Sequence, residues 1–133
     1  MNSPRVVVLD SSVGVKWIKP EEGREAARSL LLEHREQSIR IVVPALFLHE
    51  VVAVSVRHGG VEMGVQVWDS LRKADLTSIG LDDAVAKAAF RQCGLLGCTF
   101  CDALAPALAD LLGATLCSAD ARAHAHFPGV RLI

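Results

Sequence analysis

Four acidic residues of this chain stand in apolar surroundings: Asp10, Glu50, Asp102 and Asp120. A buried carboxylate without a partner costs free energy, and few Lys or Arg residues adjoin these four in the sequence. A hard divalent cation is the simplest partner, because Mg²⁺ and Mn²⁺ prefer oxygen ligands. The residue types therefore predict an acidic site that binds metal.

Each acid also has a structural interpretation. Asp10, Asp102 and Asp120 stand beside predicted helix starts, where Asp commonly caps the helix. Glu50 stands in the apolar middle of a predicted helix, where it has no capping role, and unpaired burial is rare for Glu. Glu50 is therefore the acid for which a purely structural role explains least.

The predicted elements alternate between strand and helix. Strands are predicted at Arg5 to Leu9, Arg40 to Val43, Leu76 to Ile79 and Ala114 to Ser118, with an edge strand at Val130 to Ile133. Such alternation implies βαβ units and a mostly parallel sheet. Ligands bind such sheets at the carboxyl ends of the strands. Asp10 and Asp120 follow predicted strands, so they are expected at the same sheet end.

Helices fill the segments between these strands. They are predicted as a short helix through Lys16 and Trp17, at 21–35, at 45–58, at 61–74, from Asp82 or Asp83 to about Cys93, at 102–112, and as a short turn after Asp120. The valines of 45–58 favour a strand, whereas its length and its Pro/Gly punctuation favour a helix. We interpret it as a helix that begins at Pro44 and stops at Gly59-Gly60.

The composition excludes several classes of protein. The chain has 133 residues, 51% of them apolar, and a mean hydropathy of +0.34, which excludes a disordered chain. We find no repeat or linker, so residues 1–133 are predicted to form one domain. The net charge of −1 is not that of a basic nucleic-acid binder. Any nucleic acid would have to be held by a local patch or through metal ions.

No segment is predicted to cross or be sent across a membrane. The longest apolar candidate, Ile41 to Val56, is interrupted by Pro44, His49 and Glu50. The N-terminus lacks the basic and apolar regions of a secretion signal. We therefore expect a cytoplasmic protein with reduced cysteines.

Three segments together resemble the VapC toxins of the PIN-domain family. They are VVVLDSSVGVKW, VPALFLHEVVAV and TFCDALAPALADLLGATLCSAD, and they occur in the family's order. The resemblance covers nearly the whole chain and carries across Asp10, Glu50, Asp102 and Asp120, with Ser118 as the hydroxyl before the last acid. It implies a three-layer α/β/α sandwich with a mostly parallel sheet of four or five strands. It also implies dependence on Mg²⁺ or Mn²⁺ and endonucleolytic cleavage of RNA.

The resemblance implies partners as well: an RNA substrate, a cognate VapB-like antitoxin and a second copy in a homodimer. The hypothetical mechanism is in-line hydrolysis, in which metal lowers the pKa of a bound water and clamps the attacking and leaving oxygens. Ser11 or Ser118 would orient a carboxylate, or would serve as a turn or cap hydroxyl. The alternative within the same fold is a catalytically silent binding module, which has no reason to keep a repulsive acidic cluster.

Two positions depart from the family's pattern. Cys101 stands where members often have an aromatic residue, and Ala105-Pro106 where they usually have Tyr or another large residue. Pro106 removes a backbone donor, which is mild in the first turn of a helix and kinks it deeper in. Because neither departure changes an acid, we expect them to affect local packing.

The cysteines offer a different class of function. Cys93, Cys98 and Cys101, with Cys117 later, have spacings that resemble an iron–sulfur loop. A Cys-ligated metal or iron–sulfur redox protein is therefore an alternative, although Cys93 and Cys117 fall in predicted regular structure. Cysteine as a small buried apolar residue is the favoured interpretation.

Histidines and basic residues give weaker signals. His124-x-His126 has metal-ligand types, but an exposed turn is favoured because no third ligand is near in sequence. Lys16, Arg5 and Arg122 lie close in sequence to the acids and could contact phosphate, although solvated surface charge is the favoured interpretation. The apolar surplus predicts an exposed apolar patch that would suit a partner.

Overall fold

A computed structural model, which describes residues 3–133, contains one five-stranded sheet. Its elements are β1 (Arg5–Leu9), α1 (Ser11–Val15), α2 (Arg24–Arg35), β2 (Ile39–Pro44), α3 (Ala45–Ala74), β3 (Thr77–Ile79), α4 (Asp83–Leu96), α5 (Phe100–Leu112), β4 (Thr115–Ser118), α6 (Ala121–His124) and β5 (Arg131–Leu132). The strand order is β3-β2-β1-β4-β5, and all four pairings are parallel. Residues 1 and 2, which the single-domain prediction includes, lie outside the described residues.

Helices cover both faces of the sheet. Successive residues of β1 point to opposite faces, as a strand's period of two requires. Val7 and Leu9 pack with α1, α2 and α3 in one buried apolar cluster. Val8 packs with α4 and α5 in a second cluster on the other face. The predicted three-layer α/β/α sandwich is confirmed.

The order of the strands reverses beside β1. The chain runs outward from β1 to β2 and β3, and then returns to place β4 on the other side of β1. Leu9 is in register with Cys117, and the Asp10 N–H donates to the Cys117 carbonyl at 3.0 Å. The carboxyl ends of β1 and β4 therefore meet where open α/β sheets bind ligands.

The long helix α3 confirms the helical interpretation of 45–58. The backbone leaves the helical region at Gly60, with φ 84° and ψ −179°, so the helix is broken where the glycine pair predicts a stop. Pro44 is the last residue of β2 and the N-cap of α3, so its prediction as the first helical residue was wrong by one position.

Other helix boundaries also differ from the prediction. Helix α2 begins at Arg24 and not at Glu21, because Gly23 before it has φ 87°. Helix α4 passes through Gly94, which was wrongly predicted to break it. Gly97, in the left-handed conformation, ends it instead.

The helices α1 and α3 approach closely at Gly14. A Cβ atom added there would lie 2.5 Å from Cζ of Phe47 and 2.7 Å from Cγ2 of Val51. Both neighbouring side chains are 0% exposed, so neither can move into solvent. This contact sets the distance between the start of α1, which Asp10 caps, and the first turns of α3, which carry Glu50.

Gly14→Ala is expected to lower the free energy of unfolding by about 1–2 kcal/mol, because overpacking outweighs the gain in helix propensity. Urea denaturation measures the change. Gly94→Ala is the matched control, since a Cβ there meets nothing within 4 Å. That variant is expected to gain up to about 1 kcal/mol. Equal effects of the two changes would contradict the close approach.

Within residues 3–133, no single helix is long and apolar enough to cross a membrane. Helices α4 and α5 reach the required length and composition only as a pair, and they are bent by 109°.

Candidate active site

The first acid, Asp10, directly follows β1 and caps α1. Its Oδ2 accepts a hydrogen bond from the Ser12 N–H at 3.0 Å. Within residues 3–133, its other carboxylate oxygen accepts no hydrogen bond. The capping interpretation is thus correct for Asp10, and the cap fixes the side chain while leaving one oxygen available.

Glu50 lies on α3 and faces the start of α1. The Ser11 hydroxyl donates to Glu50 Oε1 at 3.1 Å across the interface that Gly14 brings together. The residue is exposed, so the expectation of an acid buried in an apolar helix was wrong. Only the face of α3 that packs toward the sheet is buried, and Phe47 and Val51 lie on that face.

Electrostatics nevertheless link Glu50 to two other acids. Partial burial of the carboxyl group raises the pKa of Glu50, and the charges of Asp10 and Asp102 raise it further. The hydrogen bond from Ser11 works in the opposite direction. The carboxylates of Glu50, Asp10 and Asp102 are therefore close enough for the other two charges to act on Glu50.

Asp102 lies in the first turn of α5 and is half-buried. Thr99, not Asp102, caps this helix, because its hydroxyl accepts from the Asp102 N–H at 3.1 Å. The capping interpretation was therefore wrong for Asp102, whose side chain is left without that structural role. Asp102 lines a cleft of about 370 Å³ together with Asp120 and Arg122.

Asp120 follows β4 by two residues and caps the short helix α6. Its Oδ1 accepts from the Ala123 N–H at 3.1 Å. As at Asp10, the second carboxylate oxygen has no hydrogen-bond partner in the described part of the chain. Both acids are therefore held by a backbone contact and keep one oxygen free of hydrogen bonds within residues 3–133.

No described Lys or Arg side chain forms an ion pair with any of the four acids. The ion pairs between residues 3 and 133 are Lys16–Glu21, Arg40–Asp75, Lys87–Asp83 and Arg91–Asp110. Arg122 lines the cleft without pairing with its acids. No ion pair within residues 3–133 therefore offsets the negative charge at this edge.

The donors fit a hard cation by chemistry. Within residues 3–133, no group of three His, Cys, Asp or Glu side chains is arranged so that it could hold a metal ion. The oxygen donors are nevertheless the type that Mg²⁺ and Mn²⁺ prefer, and Mg²⁺ typically keeps several waters and takes one or two carboxylates. The edge therefore offers carboxylates for a largely hydrated ion and no closed cage.

The two predicted hydroxyls have different neighbours. Ser11 binds a site carboxylate directly, at Glu50. Ser118 is 0% exposed and binds no carboxylate, since its Oγ accepts from the Asp120 N–H at 3.0 Å and lies 2.7 Å from Nδ1 of His124. Ser118 thus acts on the backbone that leads to Asp120.

His124 is a residue whose position the sequence interpretation missed. It was predicted in an exposed turn with His126, yet it is 0% exposed while His126 is exposed. Its ring fills the space between β4 and α5, with Nε2 at 2.6 Å from the Asp102 carbonyl oxygen. No local sequence pattern reveals this burial.

The cysteines do not converge on one site. Cys117 is buried in the cluster on the α1–α3 face, whereas Cys93 and Cys98 pack against the cluster on the opposite face. Partial burial, then the charges of Cys93, Asp102 and Asp120, raise the pKa of the Cys98 thiol. This arrangement gives no support to the iron–sulfur alternative.

The basic residues near the acids differ in role. Lys16 is buried, and its Nζ binds the Glu22 carbonyl and Glu21, so the interpretation as solvated surface charge was wrong. Arg5 begins β1, at the sheet end opposite the acids. Arg122 is exposed on the cleft and is the basic side chain best placed for a phosphate.

Glu50→Gln is expected to raise the free energy of unfolding of the metal-free chain at pH 7 by less than about 1 kcal/mol, since the group is exposed. A raised pKa in the folded state means that the ionised form of Glu50 is unfavourable there. Its cost is full above the folded pKa and disappears as the pH falls through the ordinary Glu range. Urea titrations in EDTA at pH 7 and pH 4 measure it. Glu62→Gln, which removes an exposed glutamate from the same helix, is the control, and an equal pH dependence in the two variants would contradict the assignment to Glu50.

The chain belongs to the PIN domain family, whose model matches residues 7–128. None of the curated proteins matches it. A DNA-bound VapBC structure from Salmonella typhimurium is 16% identical, covers 97% of each chain and has a TM-score of 0.71. A toxin-antitoxin complex from Klebsiella pneumoniae is 15% identical, covers 94% of this chain and 95% of that chain, and has a TM-score of 0.70.

A third similar structure is a VapC toxin from Mycobacterium tuberculosis that is described as cleaving the Sarcin-Ricin loop. It is 14% identical, covers 94% of this chain and 98% of that chain, and has a TM-score of 0.70. At these identities the likeness establishes the fold, and the predicted PIN-like architecture is confirmed.

Proposed function

We propose that this PIN domain is an endoribonuclease that hydrolyses RNA phosphodiester bonds with Mg²⁺ or Mn²⁺, as the toxin of a toxin-antitoxin pair. One observation carries the proposal. Carboxylates from four separate segments, Asp10, Glu50, Asp102 and Asp120, collect around the carboxyl edge of the sheet, and no described cation pairs with them. A pure binding module would gain nothing from this repulsion.

The site residues have different roles in this proposal. Asp10, Glu50, Asp102 and Asp120 would hold a largely hydrated ion, one or two of them directly and the others through its waters. When bound, the ion lowers the pKa of its water and stabilises the charge that develops on the phosphate. The caps at α1 and α6 fix Asp10 and Asp120, and Ser11 fixes Glu50. This restraint orients the carboxylates before substrate arrives.

Few basic side chains would contact the RNA directly. The net charge of −1 cannot attract RNA over the whole surface. Arg122, beside Asp102 and Asp120, would contact a phosphate, and a metal ion held by the carboxylates would supply further positive charge for the RNA backbone. Loss of metal would then weaken both RNA binding and catalysis.

The test is cleavage of a mixed RNA pool by the purified chain with Mn²⁺, with EDTA, and as Asp10→Asn. Cuts that require Mn²⁺ and are lost in the variant are expected. No cuts under any condition, with calorimetry also showing no Mn²⁺ binding, would reject the nuclease. No cuts with Mn²⁺ still bound would call for longer structured RNAs as substrates, and failure on those would favour the silent binding module.

The partners in this proposal are a VapB-like antitoxin and a second copy of the chain. Two of the similar structures are toxin-antitoxin complexes. The chain also exposes the predicted apolar surface, including Val61, Val65 and Trp68, which are 72%, 55% and 43% exposed along α3. Light scattering on the purified chain, alone and co-expressed with its neighbouring gene product, measures both associations. We expect the association with the antitoxin and the homodimer to form in the cytoplasm, where the RNA substrate is.

A further inference from the structure

Pro106 leaves one backbone carbonyl of α5 without its usual hydrogen-bond donor. It lies beyond the first turn of the helix, where a backbone N–H normally donates to the carbonyl four residues earlier. Proline has no N–H, so the carbonyl of Asp102 loses its helical partner. His124 supplies a replacement from outside the helix, since its Nε2 lies 2.6 Å from that oxygen.

The direction of each hydrogen bond follows from the groups involved. A carbonyl only accepts, so Nε2 of His124 carries the proton. On a neutral ring Nδ1 then accepts, and the Ser118 hydroxyl donates to it at 2.7 Å. Ser118 Oγ in turn accepts from the Asp120 N–H at 3.0 Å. His124 and Ser118 thus connect the backbone of one site acid to the backbone of another.

The same chain of bonds reaches the first acid. Ser12 Oγ lies 3.5 Å from Ser118 Oγ and accepts from the Ala119 N–H at 2.9 Å. The Ser12 N–H donates to Asp10. His124 and Ser118, which link these parts, are 0% exposed, so water does not compete for their bonds.

We propose that His124 is a positioning residue that, together with Pro106, sets where Asp102 stands relative to Asp120. Pro106 removes the partner that the helix itself would offer. The Asp102 carbonyl is therefore satisfied only when the start of α5 sits against β4 and α6. The inference rests on the proposed function, because positioned carboxylates matter here for holding Mn²⁺.

A double-mutant cycle on the metal-free chain tests the pairing. His124→Leu is expected to lower Tm by about 5–10 °C, because it leaves buried polar groups unpaired. In Pro106→Ala, residue 106 has an N–H for the Asp102 carbonyl, and the same His124 change should lower Tm by several degrees less. Equal losses in the two backgrounds would overturn the pairing.

Calorimetry with Mn²⁺, well below Tm, tests the positioning. His124→Leu is expected to weaken Mn²⁺ binding about tenfold, the scale of losing an outer partner of a metal ligand. His124→Gln, which keeps an N–H at the ε position, should stay within about threefold of the parent. His126→Leu, an exposed histidine two residues on, should change nothing.

Each result has one meaning. Mn²⁺ affinity unchanged in His124→Leu, with the parent binding Mn²⁺, would overturn the inference and leave the nuclease intact. A parent that binds no Mn²⁺ would reject the proposed function and the positioning with it, while the cycle would still decide the pairing. If the leucine variant does not fold, His124→Asn replaces it, because the shorter amide cannot reach the Asp102 carbonyl.

Discussion

Asp102→Asn is expected to reduce Mn²⁺-dependent RNA cleavage about 100-fold or more, a larger loss than that expected for a residue that only supports a ligand. The amide keeps the size of the side chain and leaves the Thr99 cap in place, because that cap uses the Asp102 N–H. The change therefore removes charge and little else. Initial rates on an RNA found in the pool experiment, with circular dichroism to check folding, measure the effect.

Asp110→Asn is the matched control for this variant. Asp110 lies near the other end of α5, where it is exposed and pairs with Arg91 at 3.4 Å. Exposed pairs of this kind contribute about 0–1 kcal/mol to stability, so cleavage should stay within about twofold. Equal activity of the two variants would show that Asp102 does not belong to the site.

Saturating Mn²⁺ is expected to raise the melting temperature of the parent chain by about 10 °C. An ion present at 100 times its Kd stabilises the folded state by about 2.7 kcal/mol, and a domain of this size gains several degrees per kcal/mol. The physical cause is the repulsion among carboxylates that no cation pairs with; burial, and then the charges of Asp10 and Asp102, raise the pKa of Glu50 in the metal-free chain. Scanning calorimetry over a series of Mn²⁺ concentrations measures the shift.

Two controls separate this site from binding elsewhere. EDTA should return Tm to the metal-free value. Asp102→Asn should show a much smaller shift, whereas Asp110→Asn should show that of the parent. A full shift in Asp102→Asn would mean that Mn²⁺ binds outside the acidic edge.

The architecture could be predicted because its signals are local and repeated. The β-branched run Arg5–Leu9 marks a strand buried on both faces, and it forms the centre of the sheet. The glycine pair before Val61 marks the break in α3, although the valines before it favour a strand. Strand propensity does not account for tertiary packing. Packing against the sheet makes this segment a helix.

The site could be predicted only in part. The sequence places Asp10 and Asp120 after strands, and parallel pairing brings those strand ends together. It does not show which side of a helix faces water, so the exposure of Glu50 was missed. Nor does it rank neighbouring capping residues, so Thr99 was overlooked in favour of Asp102.

The contact between His124 and Asp102 joins residues that no periodicity relates. The sequence does contain one half of the explanation, since a proline beyond the first turn of a helix must leave a carbonyl unpaired. It does not say what fills the vacancy. Only the pairing of β4 with β1, and the turn of α6 that follows, brings the imidazole to that oxygen.

The placement of β4 beside β1 has a consequence for synthesis of the protein. Strands β1, β2 and β3 are adjacent and emerge first from the ribosome, whereas β4 emerges late and must fill the open side of β1. Until it does, the edge lacks Asp120, and α5 has no His124 to hold it. Under the proposed function, a chain with this strand order has an incomplete acidic edge until β4 and α6 have folded into place.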